Sequence, residues 1–281
     1  MSLRLANGEL PSSIKAGNTT IKRVYRGDTN VWGDWSPSSV TTKVWYDAAD
    51  SNTITHNSNV VTQWSDKSGN NLHSAPDTGN TGPDTNSLTQ NGLNVMDFSG
   101  DCMENHSFTH DVSGDPLYIA LVIKFDESIT GQYFFWAGTD SGTTRTAMRK
   151  RAEGGNEMIE VFGKNSSAAP IFVQWGTSGA GRTIDKTIYN IYVAKIHETD
   201  GATRLNGALT DTGSTGVNDL NAFILGEAES ENQRFTGQIG EVVAWTDNSL
   251  ITKMEGYLAH KWGLTGNLPS NHDYKTLWPT T

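Results

Sequence analysis

The sequence predicts an all-β protein, two packed antiparallel sheets with a single amphipathic helix near the C-terminus. Three observations lead there. Hydrophobic residues make up 35% and charged residues 19% of the 281 positions, and Gly, Ser, Thr, Asn and Asp fill the remainder, a composition of many strands joined by many turns. Short apolar runs recur along the chain, and the one at 117–125 is apolar on both faces, as a central strand of a sandwich must be. Helical periodicity appears only once. No repeat at spacings of about 20–50 residues is visible, which argues against a propeller or solenoid.

The elements follow in order. Residues 1–40 form a leader. In it 20–25 reads as a strand, Arg26-Gly27-Asp28-Thr29 as a turn and 30–32 as the return strand of a hairpin. Turn chemistry accounts for Arg26-Gly27-Asp28 without a receptor. A lone hairpin is marginal in water. Its apolar residues Ile21, Val24, Tyr25, Val31 and Trp32, with Trp35, are therefore expected to dock on another surface, joined to the rest by the connector Ser36-Pro37-Ser38-Ser39. Residues 41–281 read as one domain. Its strands are expected at 44–46, 94–98, 117–125, 133–137, 158–162, 171–175, 188–196, 223–226 and 238–245. Ser249 is placed to cap a helix in which Leu250, Ile251, Met254, Tyr257, Leu258 and Trp262 share one face, and Gly263 stops it.

Several function classes are excluded or weakened. A net charge of −10 disfavours nonspecific binding to nucleic acid or anionic lipid. No apolar run approaches the ~20 residues of a spanning helix. Cys102 is the only cysteine, so the fold stands on packing without an internal disulfide. With no apolar signal region in residues 1–16, this points to assembly in a reducing cytoplasm.

Residues able to carry chemistry are scattered. Asp47, Asp50 and Asp97 are the calcium candidates, since Ca²⁺ takes six to eight oxygens, roughly, and three carboxylates brought together could supply several. No other cofactor is expected. Asp66 and Asn70, in the loop 64–70, read as turn residues bonding the local backbone. Glu157 and Glu160, three apart on a strand, point to opposite faces. Glu227, Glu229 and Glu231 read as a solvated acidic loop. His106 and His110, beside Asp111, have metal spacing only on a helix, and that segment reads as extended. His260 is expected to be exposed, and Cys102 to be a buried structural thiol. Arg145, Arg149, Lys150 and Arg151 read as a solvated strand edge. Trp136, Trp175 and Trp245 are expected in the core rather than as sugar platforms.

A family resemblance runs through most of 44–264. Trp45-Tyr46-Asp47-Ala48-Ala49-Asp50, followed by Val61-Thr62-Gln63-Trp64-Ser65-Asp66-Lys67-Ser68-Gly69-Asn70, resembles the opening of laminin-G-like, concanavalin A-like jelly rolls of bacterial and phage proteins. The segment 91–100, with Phe98-Ser99-Gly100, is similar to that family's next landmark. Residues 235–245 resemble its penultimate strand, and Glu255-Gly256-Tyr257-Leu258-Ala259-His260-Lys261-Trp262-Gly263-Leu264 its closing helix. Some members bind calcium at loops. Related glucanases carry Glu-x-Asp-x-x-Glu on one strand, which this sequence lacks. The leader segment 21–32 is similar to a short stretch near the start of phage tail and other virion proteins. Together these resemblances imply a non-enzymatic virion structural protein, of the tail or fibre or decorating the capsid. Its partners would be other virion proteins and copies of itself, with host-surface polysaccharide as a further ligand. A secreted carbohydrate-binding module and a glycan-cleaving enzyme are the alternatives.

Overall fold

Two antiparallel sheets lie face to face in the computed structural model. It describes residues 35–126, 132–138, 145–153, 156–164, 185, 187–216, 219–227 and 234–280, with short leader strands at Ile14–Ala16, Thr19–Ile21, Arg23–Arg26 and Thr29–Gly33 and a strand at Ile171–Trp175. In the main domain we label the strands β1 (Val44–Asp47), β2 (Ile54–Asn57), β3 (Val60–Trp64), β4 (Met96–Ser99), β5 (Met103–Asn105), β6 (Leu117–Phe125), β7 (Tyr133–Gly138) and β8 (Arg145–Glu153). Next come β9 (Asn156–Lys164), β10 (Ile171–Trp175), β11 (Asn190–Ile196), β12 (Gly201–Leu205), β13 (Ala208–Gly213), β14 (Phe223–Leu225), β15 (Thr236–Trp245) and the helix α1 (Ile251–Lys261). The seven-stranded sheet runs β4-β15-β6-β11-β12-β13, with β1 also on β15. The six-stranded sheet runs β5-β14-β7-β8-β9-β10.

Strand β6 carries the logic of the sandwich. Leu117, Ile119, Leu121, Ile123 and Phe125 enter the core between the sheets, while Tyr118, Ala120 and Val122 lie under the helix on the outer side. The alternation has a period of two, so a strand covered on both faces must be apolar throughout. Parity breaks where the sequence inserts a bulge. Val122 pairs with Glu241 and Ile123 with Ile239, which leaves Gly240 as the extra residue of β15. Ile239 and Val242 thereby both face the inter-sheet core. A Cβ at position 240 would lie 2.9 Å from the Trp262 ring, so a glycine there lets the helix seat. A similar shift in β7 turns Phe134 and Phe135 both inward, while Tyr133 and Trp136 pack on the opposite face.

Two-residue turns close the hairpins β2–β3 and β12–β13. Ser58-Asn59 (φ 50° and 74°) and Asn206-Gly207 (φ 49° and 82°) are left-handed at both positions, the geometry that matches strand twist.

The helix forms where expected, and Met254, Leu258 and Trp262 are fully buried. Its entry differs in detail. A 3-10 turn, Asn248–Leu250, precedes it, and Asp247 caps that turn by accepting from Ser249 N at 2.8 Å, so Asp247 and not Ser249 is the capping side chain. His260 is half-buried rather than exposed, its Nε2 2.9 Å from Tyr274 O and its ring against Trp278.

The basic stretch is also corrected. Strand β8 is an interior strand between β7 and β9, not a solvated edge. Its charge is tolerated inside because it is partnered: Arg149 Nε donates to the buried Glu160 at 2.8 Å, and Lys150 Nζ reaches Asp126 O at 3.3 Å. The side chains of Arg145, Arg151 and Glu157 lie outside the described residues.

In the leader, Arg23–Arg26 and Thr29–Gly33 pair as the expected hairpin, and a second pair, Ile14–Ala16 with Thr19–Ile21, divides the strand expected at 20–25. The side chains of Ile21, Val24, Tyr25, Val31 and Trp32 lie outside the described residues. Trp35, expected to dock on another surface, packs on the sandwich of its own chain. It is sealed in the layer under the helix, its ring 6.1 Å from that of Tyr257 and its backbone N–H donating to Pro279 O at 2.7 Å. Among the described residues no helix is long and apolar enough to cross a membrane.

Trp262→Ala should cost about 3–5 kcal/mol, and Gly240→Ala about 1–3 kcal/mol through overpacking against the same ring. Both are read as a lower urea midpoint at unchanged slope.

Candidate functional site

The helix covers only part of the outer face of the seven-stranded sheet. Beyond it the strand registers set two rows of side chains across β6, β11, β12 and β13. One row runs Tyr118, Lys195, Ala202, Thr212, and the next Ala120, Val193, Arg204, Leu209. Ala202 is the small member between Lys195 and Thr212, and the floor sinks there. The result is a groove of about 310 Å³, walled on one side by Asn248 and Ile251 at the helix entry. Its floor is aliphatic, and Leu209 is 52% exposed.

The polar groups of the groove are fixed by partners. Tyr118 stacks on Trp245 with ring centroids 5.5 Å apart, and its hydroxyl donates to Asn248 Oδ1 at 2.9 Å. Burial pushes the Tyr118 phenol up to about 12, so it stays a donor. Lys195 Nζ donates to Asp200 Oδ2 at 2.6 Å, and this contact holds the Asp200 carboxyl below its ordinary range. Arg204 reaches under the helix to Glu255 with Nε at 2.7 Å and Nη2 at 3.1 Å, and Nη2 also donates to Gly207 O. A concave aliphatic floor with a few oriented polar groups is the general form of a small-molecule site.

Lysines hold two of the three calcium candidates. Lys67 Nζ lies 2.8 Å from both Asp47 and Asp50, and Lys261 Nζ lies 2.6 Å from Asp47. The Lys67 contact also holds the Asp50 carboxyl below its usual range. Two ammonium groups occupy the oxygens a cation would need. Asp97 instead accepts from Gln238 Nε2 at 2.9 Å. The turn reading of the neighbouring loop holds: Asp66 accepts from the N–H groups of Trp45, Ser68 and Leu72, and Asn70 Nδ2 donates to Thr42 O and Lys43 O.

A second cluster was not foreseen. Among the described residues, Cys102, Glu104 and Glu227 form the one group of three potential ligand side chains whose atoms all lie within 4.8 Å of one another. Glu227 was expected in a solvated loop, yet it is only 6% exposed and Glu104 only 8%. Arg234 Nη2 lies 3.0 Å from Glu227, and His106 Nε2 2.7 Å from Glu104. Burial, and then the bond with Glu104, push Glu227 up to about 7 against the pull of Arg234. Burial pushes the Cys102 thiol up to about 12, which leaves it protonated and inert, as expected for a structural thiol. Glu229 and Glu231 lie outside the described residues. No spacing rule brings Glu104 to Glu227. The pairing of β5 with β14, Met103 opposite Leu225, does so.

The other expectations are simply placed. His106 and His110 do not meet at a metal: His106 pairs with Glu104, and His110 Nε2 lies 2.8 Å from Asp115 O. Trp136 and Trp245 are fully buried, as core residues. The side chain of Trp175 lies outside the described residues.

No family model matches the sequence, and no curated protein matches it. Solved structures do. Domain 4 of AbnA, a GH43 extracellular arabinanase from Geobacillus stearothermophilus, in complex with arabinotriose, aligns over 73% of this chain and 92% of its own, at 15% identity and TM-score 0.53. A GH54 α-L-arabinofuranosidase aligns over 70% of this chain at 16% identity and TM-score 0.54, and this chain covers 50% of it. The fold is a β-sandwich of the jelly-roll kind, two antiparallel sheets with a single helix near the C-terminus among the described residues. At these identities the likeness establishes the fold and leaves the activity to the site.

Folded, Glu227 binds its proton more tightly than the free carboxyl, whose ordinary value is 4.5. Its contribution to stability is therefore full at low pH and is lost as pH rises from about 4.5 through about 7. Thermal midpoints measured from about pH 5 to pH 8 should fall more steeply for the wild type than for Glu227→Gln. Parallel profiles would show that Glu227 is not proton-linked.

Proposed function

We propose that this protein is a non-catalytic glycan-binding module, and that the groove beside Tyr118, Ala202 and Asn248 takes the sugar. The observation that carries the reading is the groove itself. It is an aliphatic floor for C–H faces, bordered by an oriented hydroxyl–amide pair and an ion pair suited to sugar hydroxyls. That one neighbour of the same fold is described in complex with arabinotriose supports it.

The geometry of the acids supports a non-catalytic role. Retaining glycosidases hold two carboxyls about 5–5.5 Å apart on either side of the cleaved bond. Glu104 and Glu227 are buried and already paired with His106 and Arg234, so neither is presented to a glycosidic bond. Affinity electrophoresis in gels containing arabinan or bacterial surface polysaccharide should retard the wild type. Ala202→Phe, which fills the floor, should run free at an unchanged thermal midpoint. New reducing ends released from the polysaccharide, and lost in Glu227→Gln, would replace this reading with an enzymatic one.

The setting we propose is a virion, where the leader docks the module to other particle proteins and copies of the chain assemble side by side. The leader's resemblance to segments of phage tail proteins is what supports it. Because Trp35 is a domain residue, the informative truncation removes residues 1–34. It should leave a folded domain that no longer co-assembles with particles. Normal assembly of the truncated protein would remove the virion role.

A further inference from the structure

We infer that the groove selects uncharged saccharides, read by the Lys195–Asp200 pair and the Asn248 amide, and that it rejects acidic ones. This rests on the groove being the glycan site. The argument is one of charge accounting. Recognition of a uronate or other sugar carboxylate calls for a guanidinium fork or an unpaired ammonium. Among the described residues lining the groove neither is free. Arg204 spends Nε and Nη2 on Glu255 and Gly207, which leaves Nη1 as a single prong; that Glu255 is fully buried, so the two-pronged fork cannot turn towards a ligand without abandoning a buried charge. Lys195 is held by Asp200 Oδ2 at 2.6 Å, and the His197 ring contacts the other oxygen of that carboxylate. What the groove shows to solvent is the Asp200 carboxylate, with its side chain 64% exposed. Its lowered range keeps it ionised at neutral pH. A second anion brought beside it is repelled, and the chain's net charge of −10 adds to that repulsion.

The same groups suit a neutral sugar. Asp200 accepts from a hydroxyl while Lys195 donates to its neighbour, a charge-assisted arrangement for vicinal hydroxyls. Tyr118 holds Asn248 Oδ1. This fixes the amide plane and leaves its NH₂, without a protein partner among the described residues, as a further donor. Val193, Ala202 and Leu209 offer an aliphatic floor to the C–H face of a ring. Its Tyr118 ring is buried against Trp245, so no aromatic platform contributes. The volume is at the small end of ligand sites, which favours a short saccharide.

The test is a titration of the full-length protein with arabinotriose, xylotriose and cellotriose, and with trigalacturonate as the acidic probe, followed by methyl and amide NMR. Shifts at Leu209, Ala202 and Asn248 with one or more neutral trisaccharides, and none with trigalacturonate, are expected. Asp200→Asn should weaken that neutral binding about tenfold, the loss of one charge-assisted hydrogen bond. Raising the salt from about 50 to 300 mM should leave it unchanged. Tighter binding of trigalacturonate, or a gain for it in wild type as salt is lowered, would overturn the selectivity while keeping a glycan site. Shifts at none of these residues with any of the sugars would remove the glycan reading itself.

Discussion

The buried carboxylate of Glu241 is the point on which the outer half of this structure depends. It is fully buried, and its two oxygens accept from Trp45 Nε1 at 2.7 Å, Tyr257 Oη at 2.9 Å, Lys261 Nζ at 2.7 Å and Trp262 Nε1 at 2.8 Å. Burial pushes this carboxyl up, and Lys261 and Trp262 hold it down. Four donors saturate the acceptor capacity of an ionised carboxylate. A charge in that position is tolerated only with such a complete set, and removal of one partner leaves the rest uncompensated. Since the donors come from β1 and from α1, the acid fixes both against β15 at once.

The groove follows from that constraint. Trp262 can reach Glu241 only by lying over the bulge residue Gly240, which sets the position of the helix on the sheet. Glu255, on the same helix, then meets Arg204 of β12 and draws its fork out of the groove. One ion pair thus links the helix seat to the ligand chemistry of the open face. Other members of the fold can carry different functions, because this outer face is shaped by side chains rather than by the sandwich.

Much of the fold is written in local patterns. Strand β6 shows its two buried faces in nine consecutive residues, and the helix shows its stripe, because each buries against elements that demand strict periodicity. Strand β8 was hidden because Arg149 and Lys150 look like solvent residues until Glu160 is brought opposite by the β8–β9 register. The β12–β13 hairpin is legible in Asn206-Gly207, a strong two-residue turn signal, but nothing local places Ala202 and Leu209 of that hairpin on the floor of a groove. The site itself is assembled across β6, β11, β12, β13 and the entry of α1, so no spacing rule contains it. The acidic pair Glu104–Glu227 is of the same kind. Asp47 and Asp50 were visible as a carboxylate pair, but their lysine partners, one of them 214 residues away, decide their chemistry.

The contact between Trp35 and the C-terminal segment has a further consequence. Trp35 N–H donates to Pro279 O at 2.7 Å, and Trp278 Nε1 donates to Trp35 O at 3.0 Å, so the two ends of the domain are zipped to one another. The polypeptide of the domain is nearly a closed ring. A short peptide joining 279 to 35 and a cut at the exposed Ser58-Asn59 turn would give a circular permutant that keeps the sandwich pairings intact. The same adjacency suits the domain to insertion, as a single unit, into a surface loop of an unrelated host protein.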